Sequence, residues 1–371
     1  MTTRRTRSSE DPSATARYAP TGAPTPGVDI GWQALELLHR TLMIDQAWTE
    51  WHDDGFTWWA HRLAQRVRIE GPHDVHPYDG SPPIPTWWIG FETDVLRGVA
   101  PDSAAARGWS LMTNRTLNTG SFVREGDRLR IRARTYFLPE SMRQQVNLLA
   151  ERAILANVLA HRHATIADGT SFAGATLDES AHPDHGPRPE PDEMLQVIDA
   201  LYGPAGRSPL PPERDPGITD AARLATLLGG SADAAADGRS AVMRFDAVGP
   251  RITLQMQLIT THPLLGGGLL SLLSIPAADG ATTADAAARA ERIARAELTA
   301  LRPLVSVGSW TIGDGDWIAA TFYPNATILA GLARASLVWE LERAQWFVRT
   351  FDDAGSAGVR LPLGGRGRRV A

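Results

Sequence analysis

Two stretches far apart in the chain are built alike. GSFVREGDRLRIRARTYFLPE (120–140) leads into the helical pattern SMRQQVNLLAERAILANVLAHR. GSWTIGDGDWIAATFYPN (308–325) leads into ATILAGLARASLVWELERAQWF. Gly120, Ser121 and Phe122 match Gly308, Ser309 and Trp310. Phe137 and Pro139 match Phe322 and Pro324, with a shift of three residues in the turn between. A strand pair feeding a helix of about six turns, written twice, points to an internal duplication. That restricts the fold to something built from two similar units.

The units read cleanly by period. In the first, Trp59, Leu63, Val67 and Ile69 share one face of 56–69. Trp87, Ile89, Phe91, Thr93 and Val95 share one face of 86–96, and Leu129, Ile131, Ala133 and Phe137 do so in 128–138. In the second, Ala241, Met243, Phe245 and Ala247 alternate, then Ile252, Leu254, Met256 and Leu258. Strands at 269–275, 304–312 and 317–323 complete the set. A helix at 102–115 and an alanine-rich one at 283–301 separate the strand groups. A helix also precedes each group: 31–51 in the first unit, 192–202 with 218–229 in the second. Each unit therefore reads helix, strands, helix, two strands, long helix. This is an α+β arrangement of antiparallel sheet and helices, without the βαβ alternation of a doubly wound sheet.

AHPDHGPRPEPDE (181–193) and GPAGRSPLPPERDPG (203–217) are proline-rich and read as linkers. The expected organisation is a disordered tail at 1–28, a first domain at 29–170, a linker at 171–191, a second domain at 192–351, and a flexible basic tail at 352–371.

Composition removes several chemistries. The chain has 371 residues and no cysteine, so disulfides, thiolate metal sites and cysteine nucleophiles are excluded. It has no lysine either, and all 37 basic side chains are arginines. A Walker-type phosphate loop and a Schiff-base lysine are therefore excluded, whatever Gly266, Gly267 and Gly268 suggest. A net charge of −5 argues against nucleic acid. No run of 18 apolar residues is present, and the N-terminus lacks the apolar core of a secretory signal. The expected location is the cytoplasm.

The element order, the opening segment LMIDQAWTEWHDDGFTWWAHRLAQRV (42–67), the GS-aromatic strand before each long helix, and those helices together resemble the type III secretion chaperone-like / YbjN-like family. That family includes peptide-binding chaperone domains of actinobacteria. The resemblance covers most of 29–351 as two tandem copies. It implies a non-enzymatic, cofactor-free protein that binds a peptide segment or partner protein. It also implies either a monomer whose tandem domains imitate a dimer, or a homodimer. It brings no catalytic residues.

The candidate contact residues follow from strand geometry. Arg128, Arg130, Arg132 and Arg134 fall on one face of a strand, as period two requires. Such a stripe suits an acidic peptide, or it is a sheet face paired with Glu92 and Asp94. Adjacent tryptophans on a strand point to opposite faces. With Trp59 and Trp87 in the core, Trp58 and Trp88 fall beside the arginines. There they either serve a partner or lie beneath the second unit. The partner-binding set is thus Trp58, Trp88, Arg128, Arg130, Arg132 and Arg134. Two alternatives stand beside it. One is a metal-dependent hydrolase using His52, Asp53 and Asp54, or His73 and His76, although Asp-Asp-Gly between a helix end and a strand reads first as a turn. The other is a small-ligand sensor with its site between the units.

Overall fold

The computed structural model describes residues 30–76, 81–100, 102–117, 120–139, 156–163, 174–202, 214–246, 251–277, 283–300, 309–313 and 315–351. Both expected tails, 140–155 where the first long helix was expected to begin, 203–213 of the second expected linker, Ala247, and 304–308 of the strand expected at 304–312 lie outside the described residues.

The first half runs α1 (Ile30–Thr41), β1 (Thr49–His52), β2 (Gly55–Trp59), β3 (Ala64–Val75), β4 (Ile84–Arg97), α2 (Ala104–Leu117), β5 (Ser121–Glu125) and β6 (Arg128–Phe137). Helical residues 156–163, β7 (Thr176–Leu177) and α3 (Glu193–Tyr202) follow. The second half runs α4 (Ile218–Leu227), β8 (Ser231–Ala234), β9 (Ser240–Phe245), β10 (Ile252–Ile259), β11 (Gly268–Pro276), α5 (Thr283–Thr299), β12 (Trp310–Gly313), β13 (Asp316–Pro324) and α6 (Leu332–Phe351). The fold is α+β with two antiparallel sheets.

The sheets share one topology. The first is ordered β1-β2-β3-β4-β6-β5, with β7 added beside β4; the second, read from its far end, is β8-β9-β10-β11-β13-β12. In each, four strands meander, a helix crosses, and two strands return so that the second pairs with the fourth. Register agrees rung by rung. Phe122 faces Ile131 and Thr93 lies beyond it; Trp310 faces Ala319 and Leu273 lies beyond. Ser121 and Phe122 thus stand where Ser309 and Trp310 stand. The other expected match fails: Arg134 occupies the rung of Phe322, opposite Gly90 as Phe322 is opposite Leu270. No three-residue shift is present, because hydrogen-bonded ladders hold register and the shared Phe-x-Pro spelling does not.

Over the described residues, the period-two readings from 86 onward hold. Ile89, Phe91, Val95, Leu129, Ile131 and Phe137 in the first sheet, and Met243, Ile252, Leu254 and Met256 in the second, are almost wholly buried. Turn chemistry separates the elements. Gly229, at φ +86°, closes α4: its N–H donates to the Thr226 carbonyl, and that of Gly230 donates to Ala225. This is the glycine-ended helix stop expected where a left-handed residue is needed.

Three sequence expectations are corrected. The helix expected over 31–51 ends at Thr41, and β1 pairs with β2 around Asp53 and Asp54 as a tight hairpin. Gly55 is required there because a Cβ would sit 1.9 Å from the Val67 carbonyl oxygen. The segment 56–69 is two strands with a break at 60–63, so its alternation restarts. Finally, residues 174–192 are packed against the first sheet, where a free linker was expected. Ser180 N–H donates to Arg62 O, Asp192 N–H to Ala60 O, and Arg188 Nη1 to Trp59 O. Leu195 of α3 belongs to the first core, so that helix does not begin the second unit.

The halves join reciprocally. Helix α2 packs on α5 and on β12, while α5 packs on β5. Leu111 of α2 enters the second core, and Ala294 and Leu298 of α5 cover Val123 of β5. At the centre the two serines bond to each other's strand. Ser309 N–H donates to Ser121 Oγ at 2.7 Å, and Ser309 Oγ donates to the Gly120 carbonyl at 2.7 Å. Ser309 holds φ +58°, a strained angle for a side-chain-bearing residue.

Candidate functional site

The outer face of the first sheet carries the arginine stripe. Register places Arg66, Glu92 and Arg132 on one rung, and Asp94 and Arg130 on the next. Arg130 reaches Asp94 at 2.7 Å and Glu125 at 2.8 Å; Arg132 reaches Glu92 and Glu125, each at 2.7 Å. Arg128 meets Asp94 at 2.7 Å and Asp178 at 3.2 Å, and Arg134 meets Glu70 at 2.8 Å. Arg66 and Arg68 share Asp54 in the β1–β2 turn. Guanidinium and carboxylate groups thus alternate across the sheet. Burial alone would raise the Asp54 carboxyl, but the two arginines outweigh it and hold the group below the usual carboxylate range. Burial opposes the charge on Arg130, yet its three acids keep it more firmly protonated than a free arginine. The face is a cross-strand ionic ladder. Its most open cations are Arg66 and Arg128, with side chains 46% and 48% exposed.

The tryptophans are placed differently from the sequence expectation. Trp58 points into the core, opposite Thr49 and Gln65, and is 0% exposed. Trp59 takes the other face, where its Nε1 donates to Ser180 Oγ at 3.1 Å and its ring meets His182. The break at 60–63 reverses the two assignments. Trp88 does lie on the outer face, but it is covered. The Arg134 guanidinium sits 4.8 Å above its ring and His73 closes its side. Neither Trp58 nor Trp88 offers surface to a partner.

The histidines and aspartates of the alternative reading do not converge. His52 shares a hydrogen bond with Thr57 at 2.8 Å, and Asp54 is held by arginines. His73 lies against Trp88, and His76 Nδ1 donates to the Ser81 carbonyl. Among the described residues, no group of three or more metal-ligating side chains is placed to hold an ion.

No family model matches the chain, and no curated protein or solved structure matches it either. What this chain does must be read from its own geometry. Among the described residues, no helix is long and apolar enough to cross a membrane.

One polar group escaped the sequence reading. In the second core, Arg343 donates to both oxygens of Glu297, at 2.5 and 2.9 Å, and stands 3.5 Å from Glu340. Trp310 Nε1 donates to Glu297 at 2.9 Å, and Thr321 Oγ1 lies 2.7 Å from Glu340. All three charged residues are at most 1% exposed. Burial pushes the Glu340 carboxyl up, since one arginine cannot neutralise two carboxylates. A signal was present: Glu340 falls on the apolar stripe of Leu337, Leu341 and Ala344, where a solvated glutamate has no place. Its complete enclosure makes this network a clamp between α5, α6 and the sheet.

Proposed function

We propose that the chain is a non-enzymatic binding protein of the type III secretion chaperone-like / YbjN-like kind, a single-chain counterpart of a chaperone dimer that engages a peptide segment or partner protein. The observation that carries this reading is the repeated order of helix, four strands, helix and two strands, joined by reciprocal packing of α2 and α5. The outer face of the first sheet is left for a third party at its arginine end, whereas that of the second is partly covered where Phe322 and Leu270 meet the first core.

The contact surface is the outer face of the first sheet, at the guanidinium groups that remain open. Arg128 stands at one end of the ladder, Arg130 is on the Asp94 rung, Arg66 and Arg132 flank Glu92, and Arg68 follows on the Gly90 rung. An acidic segment would replace the ladder's own carboxylates on these cations, which favours selectivity over raw affinity. The corresponding rungs of the second sheet carry Gln255, Gln257 and Leu272, so the two halves take different roles.

The test is selection from a displayed peptide library at low salt. Wild type is expected to enrich acidic segments, and Arg66→Glu with Arg128→Glu to lose that enrichment while melting within a few degrees of wild type. An unchanged selection profile in the double variant would refute the surface.

A further inference from the structure

The β10–β11 loop, residues 260–267, crosses from the second half into the first. Leu265 is wholly buried in the first core and Leu264 packs against it. His262 shapes the loop. Its Nδ1 accepts the Leu264 N–H at 3.2 Å, and its own backbone N–H donates to the Leu265 and Gly266 carbonyls. Its ring stacks on Phe322 with centroids 4.5 Å apart.

His163, in helical residues 156–163 of the first half, is a second buried histidine that feels the charge of His262. Its ring meets Phe122 and Trp109 edge-on at 5.1 and 6.1 Å. It is 3% exposed, and neither ring nitrogen has a hydrogen-bond partner among the described residues.

A ring nitrogen that accepts a backbone N–H cannot also carry a proton unless that bond breaks. An imidazole with both nitrogens unpartnered cannot be charged where it stands, because burying an unpaired charge is costly. We infer that the 260–267 loop is an acid-released latch: protonation of His262 and His163 withdraws Leu265 from the first core and opens the junction while both sheets stay folded.

The surrounding charges act in the same direction. The charge of Arg162 opposes protonation of His262, and that of His262 opposes protonation of His163. Burial first, and these neighbours second, lower both histidines to about 4. On the same helical stretch His161 stacks on His61, beside Arg62. Arg188 and Glu179 also act on His61, with opposite sign.

The absence of cysteine makes the test clean. Met43→Cys and Leu227→Cys, at exposed positions in different halves, carry a donor and an acceptor dye. Energy transfer is followed from about pH 8 to about pH 4, with far-ultraviolet circular dichroism on the same samples. The expected result is a reversible change in transfer with dichroism retained. His262→Asn keeps an acceptor for the Leu264 N–H, as asparagine does in turns, and cannot be charged. It should move the midpoint down by about one pH unit or more. His163→Phe should do the same, and it decides the matter if His262→Asn fails to fold. Transfer constant to about pH 4, transfer changing together with dichroism, or variants that keep the wild-type midpoint would each overturn the latch.

Discussion

Glu340 and Glu297 share Arg343, but not equally. Glu297 takes two guanidinium hydrogen bonds and one from the Trp310 indole, whereas Glu340 stands 3.5 Å from the guanidinium. Burial pushes Glu340 up, so it is the carboxyl that keeps its proton. The sign follows. A carboxyl whose folded pKa exceeds its unfolded value binds more protons when folded, so stability falls as pH rises above the ordinary carboxylate range. Glu340→Gln, which imitates the protonated form, should change stability by no more than about 1 kcal/mol near pH 6 and flatten the decline at higher pH. Glu297→Gln strands Arg343 and should cost about 3–5 kcal/mol. Urea unfolding of both variants at several pH values separates the two roles. Equal losses would mean that the arginine is shared evenly.

At the scale of elements, the ionic ladder mixes strong and weak contacts. Glu92 is 10% exposed at its side chain and lies within reach of Arg68, Arg130 and Arg132. Glu92→Ala removes the central carboxylate and should cost about 1–3 kcal/mol. Arg66→Ala breaks a pair open to solvent on both sides and should stay within about 0.5 kcal/mol. Thermal melts at low and high salt measure both, and a larger loss for Arg66→Ala would reverse the ranking of the two contacts.

Much of this face was legible in the sequence. Period two put the four arginines on one side, and Glu92 and Asp94 were visible as partners. Element order and the core faces of β4, β6, β9 and β10 were legible for the same reason, since alternation over a long strand is a strong signal. The placement of Trp58 was not. Its face depends on where β2 stops, and nothing in Trp-Trp-Ala-His-Arg-Leu marks a break at 60. The packing of 174–192 was also hidden. Prolines there exclude a long helix or central strand, but they do not prevent Ser180, Arg188 and Asp192 from bonding to the chain reversal after Trp59.

On the scale of the whole molecule, the halves exchange core side chains. Leu111 of the first half is buried in the second core, and Leu265 of the second is buried in the first. Calorimetry should therefore give one transition. Leu265→Ala, expected to cost about 2–5 kcal/mol, should lower its temperature without splitting it. Two resolved transitions would show that the exchange of side chains does not couple the cores.

Acid tests the same coupling more widely. His39, His163 and His262 are each at most 5% exposed, and burial lowers each to about 4. The unfolded chain holds protons on these groups below about pH 6.5, and the folded chain refuses them until about pH 4. Stability is thus complete above the unfolded value and falls as pH drops through that window, by about 1.4 kcal/mol per pH unit for each histidine. His39 lies away from the junction, between Trp51 and Phe56. His39→Phe should therefore remove one proton's share of the slope in urea titrations between about pH 6.5 and about pH 5, and leave the junction's opening unchanged. If it moves both, the junction and the α1 end of the first core share one acid transition, and the latch is part of global unfolding.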